Sequence, residues 1–343
     1  MGKQAMPLVE YKGNFSDLFK IYIVNVLLVL VTLGLYYPWA KVKLLRYHYG
    51  ETEMNGTPFV FHGTGKEVFK GFLVVILVYG LLSGIEYLIQ HYGVHGDHFM
   101  WIIWGNLIVL LLVLSFVPAA IVGSLKYRTS RSSWRGIHFS YHGSSKAMFK
   151  QLLSFLLVIV TFGIYYPWFI VKIFRHIISH VRFGNLKAKF IGSGTELFLT
   201  ILIGVGLLFV TALMAGLLSF VLPPFIAPVL PAIAMFFVIF FLQAKISNFF
   251  IDNMSLKKGE ERGKMKGSLT ATGLIKLMFV NGMIILFTLG LGIPLAIIRT
   301  KRYYTSCLSI QGNIDFDSLA QGDIEEISAT GDSFLDFFEI DII

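Results

Sequence analysis

Three pairs of basic side chains recur in this 343-residue chain at a spacing suited to phosphate: Lys43/Arg46, Lys172/Arg175 and Arg299/Arg302. Residues three apart on a helix share a face, and Arg can hold a phosphate through two parallel hydrogen bonds. One reading makes the pairs contacts for lipid headgroups or for an anionic solute. The plainer reading is anchoring at the cytoplasmic surface of a membrane. A second recurring set is polar and uncharged. Asn25, Ser154 and Asn281 each stand seven residues before a threonine, Thr32, Thr161 and Thr288, about two helical turns. Such groups either line a polar pathway or hold helices together by hydrogen bonds.

Other reactive types are isolated. Glu86 is the acid set most deeply within a hydrophobic run, and an ionisable group inside a membrane is a candidate proton or ion site. The same offset in the second copy is Ala215, so an interfacial Glu86 is the simpler expectation. His91, His95, Asp97 and His98 have metal-like spacing, yet no cysteine or second cluster accompanies them. His176 and His180, one turn apart beside Arg175, read as interfacial. The single cysteine, Cys307, reads as a small packed side chain. No Ser-His-Asp set, phosphate loop or dinucleotide fingerprint is present, so neither catalysis nor a bound cofactor is expected.

The elements that must position these groups are hydrophobic helices. The chain is 55% hydrophobic and only 14% charged, with a mean hydropathy of +0.71. Uncharged runs cover Ile21–Ala40, Gly71–Ile85, Phe99–Leu125, Leu152–Val171, Leu197–Ala244 and Leu277–Ile298. About 20 apolar residues cross a bilayer. The run Leu197–Ala244 suffices for two crossings, with Pro223, Pro224 and Pro228 near its middle, and reads as a helical hairpin.

An internal repeat organises these runs. Thr32-Leu-Gly-Leu-Tyr-Tyr-Pro38-Trp39, Thr161-Phe-Gly-Ile-Tyr-Tyr-Pro167-Trp168 and Thr288-Leu-Gly-Leu-Gly-Ile-Pro294-Leu295 align without gaps. A bulky residue two places before Gly recurs at Tyr11–Gly13, Phe61–Gly63, Tyr141–Gly143, Phe190–Gly192 and Met265–Gly267. Asn55-Gly56, Arg135-Gly136 and Gly184-Asn185 lie between β-favouring residues and predict short hairpins. The expected fold is therefore an all-α polytopic membrane protein of internal repeats, with small β-hairpins on the cytoplasmic side. Its units are residues 1–126, 127–250 and a truncated 251–311, followed by a tail, 312–343.

Basic residues flank both ends of each Thr-x-Gly segment. Short cytoplasmic loops concentrate Lys and Arg, so a re-entrant hairpin turning near Thr-x-Gly reconciles the charges. The alternative is simple spans followed by interfacial helices.

These motifs resemble the YjgN-type family of bacterial inner-membrane proteins, over nearly the whole chain and including the acidic aromatic end Ala329–Asp341. The resemblance implies a multi-pass protein of the bacterial inner membrane, and it supplies no catalytic or binding residue. The third copy departs from the motif, with Gly292 and Ile293 in place of the two Tyr and Leu295 in place of Trp.

Two function classes follow: transport of a small solute or ion through a helical bundle, or a lipid-interacting scaffold without transport or catalysis. Transport lacks a repeated acid for ion coupling. The expected partners are anionic lipid headgroups. Nucleic acid is not expected, because the basic residues flank membrane segments. All 29 Lys and Arg precede residue 312, whereas 312–343 holds nine acids. The tail is expected to fold back on the basic face, with Phe334, Leu335, Phe337, Phe338 and Ile340 in an apolar groove or the membrane interface, or else to serve as a solubilising or degradation-signalling extension.

Overall fold

Each bulky-x-Gly signature ends a strand and launches a helix. At all five the glycine is required by space, Gly267 lying against Asn248 and the other four against the bulky ring. A Cβ at Gly13, Gly63, Gly143 or Gly192 would lie 2.5, 2.5, 2.4 or 2.6 Å from the ring of Tyr11, Phe61, Tyr141 or Phe190. The residue after each of these glycines caps the helix. Asn14, Thr64, Ser144 and Ser193 accept a backbone N–H, and Thr270 does so for the fifth helix. Such caps contribute about 1 kcal/mol each.

The computed structural model describes residues 9–95, 99–223, 225–312 and 314–319. Its elements in chain order are β1 (Val9–Tyr11), α1 (Phe15–Val31), α2 (Tyr37–Gly50), β2 (Thr52–Met54), β3 (Thr57–Phe61), α3 (Gly65–His95), α4 (Phe99–Ser130), β4 (Ser132–Trp134) and β5 (Ile137–Tyr141). There follow α5 (Ser145–Leu152), α6 (Phe155–Val160), α7 (Tyr166–His180), β6 (Val181–Phe183), β7 (Leu186–Phe190), α8 (Gly194–Ser219) and α9 (Val229–Asp252). The last are β8 (Met254–Lys258), β9 (Glu261–Gly267), α10 (Ala271–Phe287), α11 (Ile293–Ser306) and β10 (Leu308–Gly312). The sequence-derived boundaries after residues 126 and 250 fall inside α4 and α9.

The all-α expectation is overturned. The strands form one 10-stranded antiparallel sheet in the order β1 to β10, curled nearly closed like a barrel. Two of its hairpins turn through Asn55-Gly56 and Arg135-Gly136, all four residues at positive φ, as two-residue turns require. The pairings that merge separate hairpins, such as Phe59 with Trp134 and Phe190 with Met254, join strands on either side of a helical pair. Nothing local in the sequence encodes them.

The inner face of the sheet is packed. Val9, Met54, Phe59, Trp134, Phe139, Phe183, Leu186, Leu256, Met265 and Ile310 bring one side chain from every strand into a single apolar cluster. Burying each Phe, Met or Leu contributes roughly 1.5–3 kcal/mol. Trp134 is fully buried, and its indole N–H donates to Met54 O and Thr57 O. Phe316, beyond β10, is 9% exposed and joins the same cluster.

Each excursion from the sheet is a helical hairpin that returns to the next strand, as the pairs Tyr11 with Thr52, Phe61 with Ser132 and Tyr141 with Val181 show. Successive helices touch all the way round, and α11 packs on α1 and β1. The result is a ring of helices standing on the sheet. Among the described residues four helices are long and apolar enough to cross a membrane: Gly65–Tyr92, Met100–Ser130, Gly194–Ser219 and Val229–Asp252.

Candidate functional site

The three Thr-x-Gly segments form the turns of the shorter hairpins, and their threonines are occupied there. Thr32, Thr161 and Thr288 donate to Leu28 O, Leu157 O and Ile284 O, and accept from the amides of Tyr36, Tyr165 and Gly292. The next residue, Leu33, Phe162 or Leu289, has φ of +50° and is more than 90% exposed. Gly34, Gly163 and Gly290 follow at φ near +90°, where a side chain would be strained. Pro38, Pro167 and Pro294 then open the returning helices.

Asn25 and Asn281 tie the two limbs of their hairpins together, donating to Ala40 O and Ala296 O at 3.2 Å. Asn281 also accepts from Arg299 Nε at 3.1 Å. Its counterpart Asn25 faces Lys43 in the sequence alignment instead, and the buried Oδ1 of Asn25 has no partner. Ser154 is too short to bridge and donates to Gln151 O within its own limb. These hydrogen bonds all lie within single hairpins.

The second member of each basic pair makes one recurrent bond. Arg46, Arg175 and Arg302 donate from Nη2 to Gly63 O, Gly192 O and Gly13 O at 2.8, 2.6 and 2.7 Å. The acceptors are glycines of the strand signature, so two sequence motifs meet at the junction of helix and sheet. Among the described residues no carboxylate neutralises these guanidinium groups, and all three are exposed. Lys43 and Lys172 are exposed beside them, and Lys43 Nζ lies 5.4 Å from the Tyr36 ring. At 1.5 Å per residue, the pair members lie about 14 and 18 Å along the helix from the turn glycine in all three hairpins.

The seam between α11 and α1 differs from the two equivalent positions. Trp39 packs on Phe69 and Trp168 on Phe198, at 5.0 and 4.9 Å between ring centroids. Gly65 and Gly194 leave room for these indoles, since a Cβ there would lie 2.3 and 2.4 Å away. At the seam the sequence places Phe15 where the glycine stands and Leu295 where the Trp stands. The exchange of sizes leaves an open apolar groove of about 770 Å³ lined by Phe15, Phe19, Ile284, Phe287, Leu291 and Leu295.

The family model described as "Bacterial protein of unknown function (DUF898)" matches residues 7–337. The chain belongs to this family. Among curated proteins it is similar to inner membrane protein YjgN of Salmonella typhimurium, 29% identical over 48% of this chain and 38% of that protein. YjgN of Escherichia coli K12 is 33% identical over 47% of this chain and 37% of its own length. The matched region is thus under two fifths of these relatives. No solved structure matches significantly.

The remaining candidates of this DUF898 protein are dispersed. Glu86 is exposed on α3, 21 residues beyond Gly65, or about 32 Å along the helix. His91 is exposed, whereas the His95 side chain, Asp97 and His98 lie outside the described residues. No group of three potential metal ligands occurs among the described residues. His180 Nδ1 donates to His176 O at 2.7 Å, and burial lowers the His176 pKa, aided by His180. Cys307 is buried.

Proposed function

We propose that this protein is an integral component of the bacterial inner membrane that dips three helical hairpins into the leaflet on its sheet side. Each hairpin uses its basic pair to hold anionic phospholipid headgroups, so the protein organises that leaflet and does not conduct a solute. The observation that carries this reading is depth. The pairs lie about 14 and 18 Å from tips where Leu33, Phe162 and Leu289 are 94, 96 and 92% exposed. Half of a hydrocarbon core is about 15 Å. A tip at the bilayer midplane therefore sets all three pairs at the headgroup level, where their charge needs no burial in hydrocarbon. The same level on α3 is near Gly63–Gly65, and a further 30 Å brings Glu86 to the opposite headgroups. The pairs α3–α4 and α8–α9 are then the full crossings.

The filled sheet and the hydrogen-bonded hairpin polar groups favour this reading over a conduit, and the inner-membrane naming of the YjgN relatives agrees with the setting. Native mass spectrometry of detergent-extracted protein tests it. The wild type is expected to retain phosphatidylglycerol over phosphatidylcholine, and the Lys43→Gln/Lys172→Gln variant to retain at least fivefold less, with the difference collapsing in high salt. Equal retention of both lipids by both proteins contradicts the reading.

A further inference from the structure

The outer face of strands β6 to β9 carries a charge arrangement that the fold does not require. Successive registers place Arg182 opposite Lys187, Lys187 opposite Lys257, and Lys257 opposite Arg262. Four cations thus form one continuous row across four strands, all on the face away from Phe183, Leu186, Leu256 and Met265. Lys189 and Lys264 flank the row on the same face, each opposite Ser255. Like charges directly opposite each other destabilise a sheet. Among the described residues no carboxylate pairs with any of these six, and all but Arg182 are exposed. A row kept at such a cost points to an anionic occupant.

We infer that the occupant is the chain's own acidic C-terminal segment, residues 320–343. The described start of the tail leads to these strands. Lys258 Nζ, at the β8–β9 turn, donates to Asp315 O at 2.7 Å and to Ser318 Oγ, and the Asp315 amide donates to Glu261 Oε2 at 3.1 Å. Arg135 pairs with Asp317, and Phe316 enters the sheet core. The chain that continues carries Asp323, Glu325, Glu326, Asp332, Asp336, Glu339 and Asp341 and no Lys or Arg. Its 24 residues reach at most about 80 Å, whereas four strands span about 15 Å. Tethering gives the segment a high local concentration.

A membrane surface fits this row less well. Lys187 is five residues from Gly192, about 17 Å along the strand from the proposed headgroup level, or two screening lengths in physiological salt.

Hydrogen exchange on the full chain in detergent tests the assignment, comparing wild type with Lys187→Gln/Lys257→Gln/Arg262→Gln. Removing exposed like charges leaves the sheet intact, and unchanged protection of Trp134 and Phe183 amides checks that. The expected result is at least tenfold slowed exchange within residues 323–341 at low salt, lost in the triple variant and in high salt. Free exchange of the segment in the wild type overturns the inference, as does protection indifferent to the three substitutions. Free exchange together with wild-type but not variant retention on heparin overturns it in favour of an external polyanion.

Discussion

Arg302 and Gly13 are 289 positions apart in the chain, yet the guanidinium donates to the glycine carbonyl across 2.7 Å. The bonds of Arg46 to Gly63 and Arg175 to Gly192 each span 17 positions. For the third copy, the glycine carbonyl comes from the strand signature at the start of the chain. The ring of helices therefore closes by borrowing.

Arg302→Gln is expected to open this seam. A hydrogen bond to a charged group contributes about 1.5–3 kcal/mol, and no loop holds α11 to α1. Hydrogen exchange should accelerate in β1 and α1 while the α3–α4 amides are unchanged. Arg46→Gln should loosen α2 and α3 instead.

Lys43→Arg should stabilise the first hairpin. In the third, Arg299 Nε fills Asn281 Oδ1; in the first, the buried Asn25 Oδ1 is unpaired. An arginine at 43 reproduces the missing bond, at about 0.5–1.5 kcal/mol or more. Thermal unfolding in detergent should shift upward for Lys43→Arg and not for Lys43→Arg combined with Asn25→Leu.

Much of this was legible in the sequence, for identifiable reasons. The Thr-x-Gly turns, the prolines after them and three of the four β-hairpins are local signals, set by positive φ and by missing amide donors. The β8–β9 hairpin was not, because Met254–Gly267 is mostly charged or small and lacks the apolar alternation that marks a strand. Nor was the sheet, since the register of Phe59 with Trp134 depends on where the α3–α4 pair returns. The meeting of Arg46 with Gly63 joins two motifs that recur separately in the sequence. Their equal separation in two copies was the available clue. Leu295 departs from the motif, and Phe15 beside it in the groove shows a size exchange.

Acid should weaken the junction of β1 and α2. His48, at the sheet end of α2 and outside the apolar tip, accepts or shares a hydrogen bond with the Tyr11 hydroxyl at 2.7 Å. Burial, with a smaller contribution from Lys301, lowers its pKa to about 3. The folded protein then keeps His48 neutral where the unfolded chain, titrating near 6.5, is protonated. That contribution is fully present above about pH 6.5 and is lost progressively as pH falls toward 3. Thermal stability in detergent should decline over this window, and less steeply in His48→Gln.

Cysteine accessibility in intact cells and inverted vesicles tests the central claim most directly, in a Cys307→Ser background. The motif glycines are poor sites, because Gly13, Gly63, Gly143 and Gly192 have no room for a side chain. Cysteines at Pro58, Asn185 and Glu260 on the sheet, at Val221 beyond α8, and at the tips Leu33, Phe162 and Leu289 avoid this. The account predicts that an impermeant reagent labels the three sheet positions from the cytoplasmic side, Val221 from the opposite side, and the tips from neither. Labelling of any tip from the Val221 side, or of the sheet positions from different sides, would contradict it.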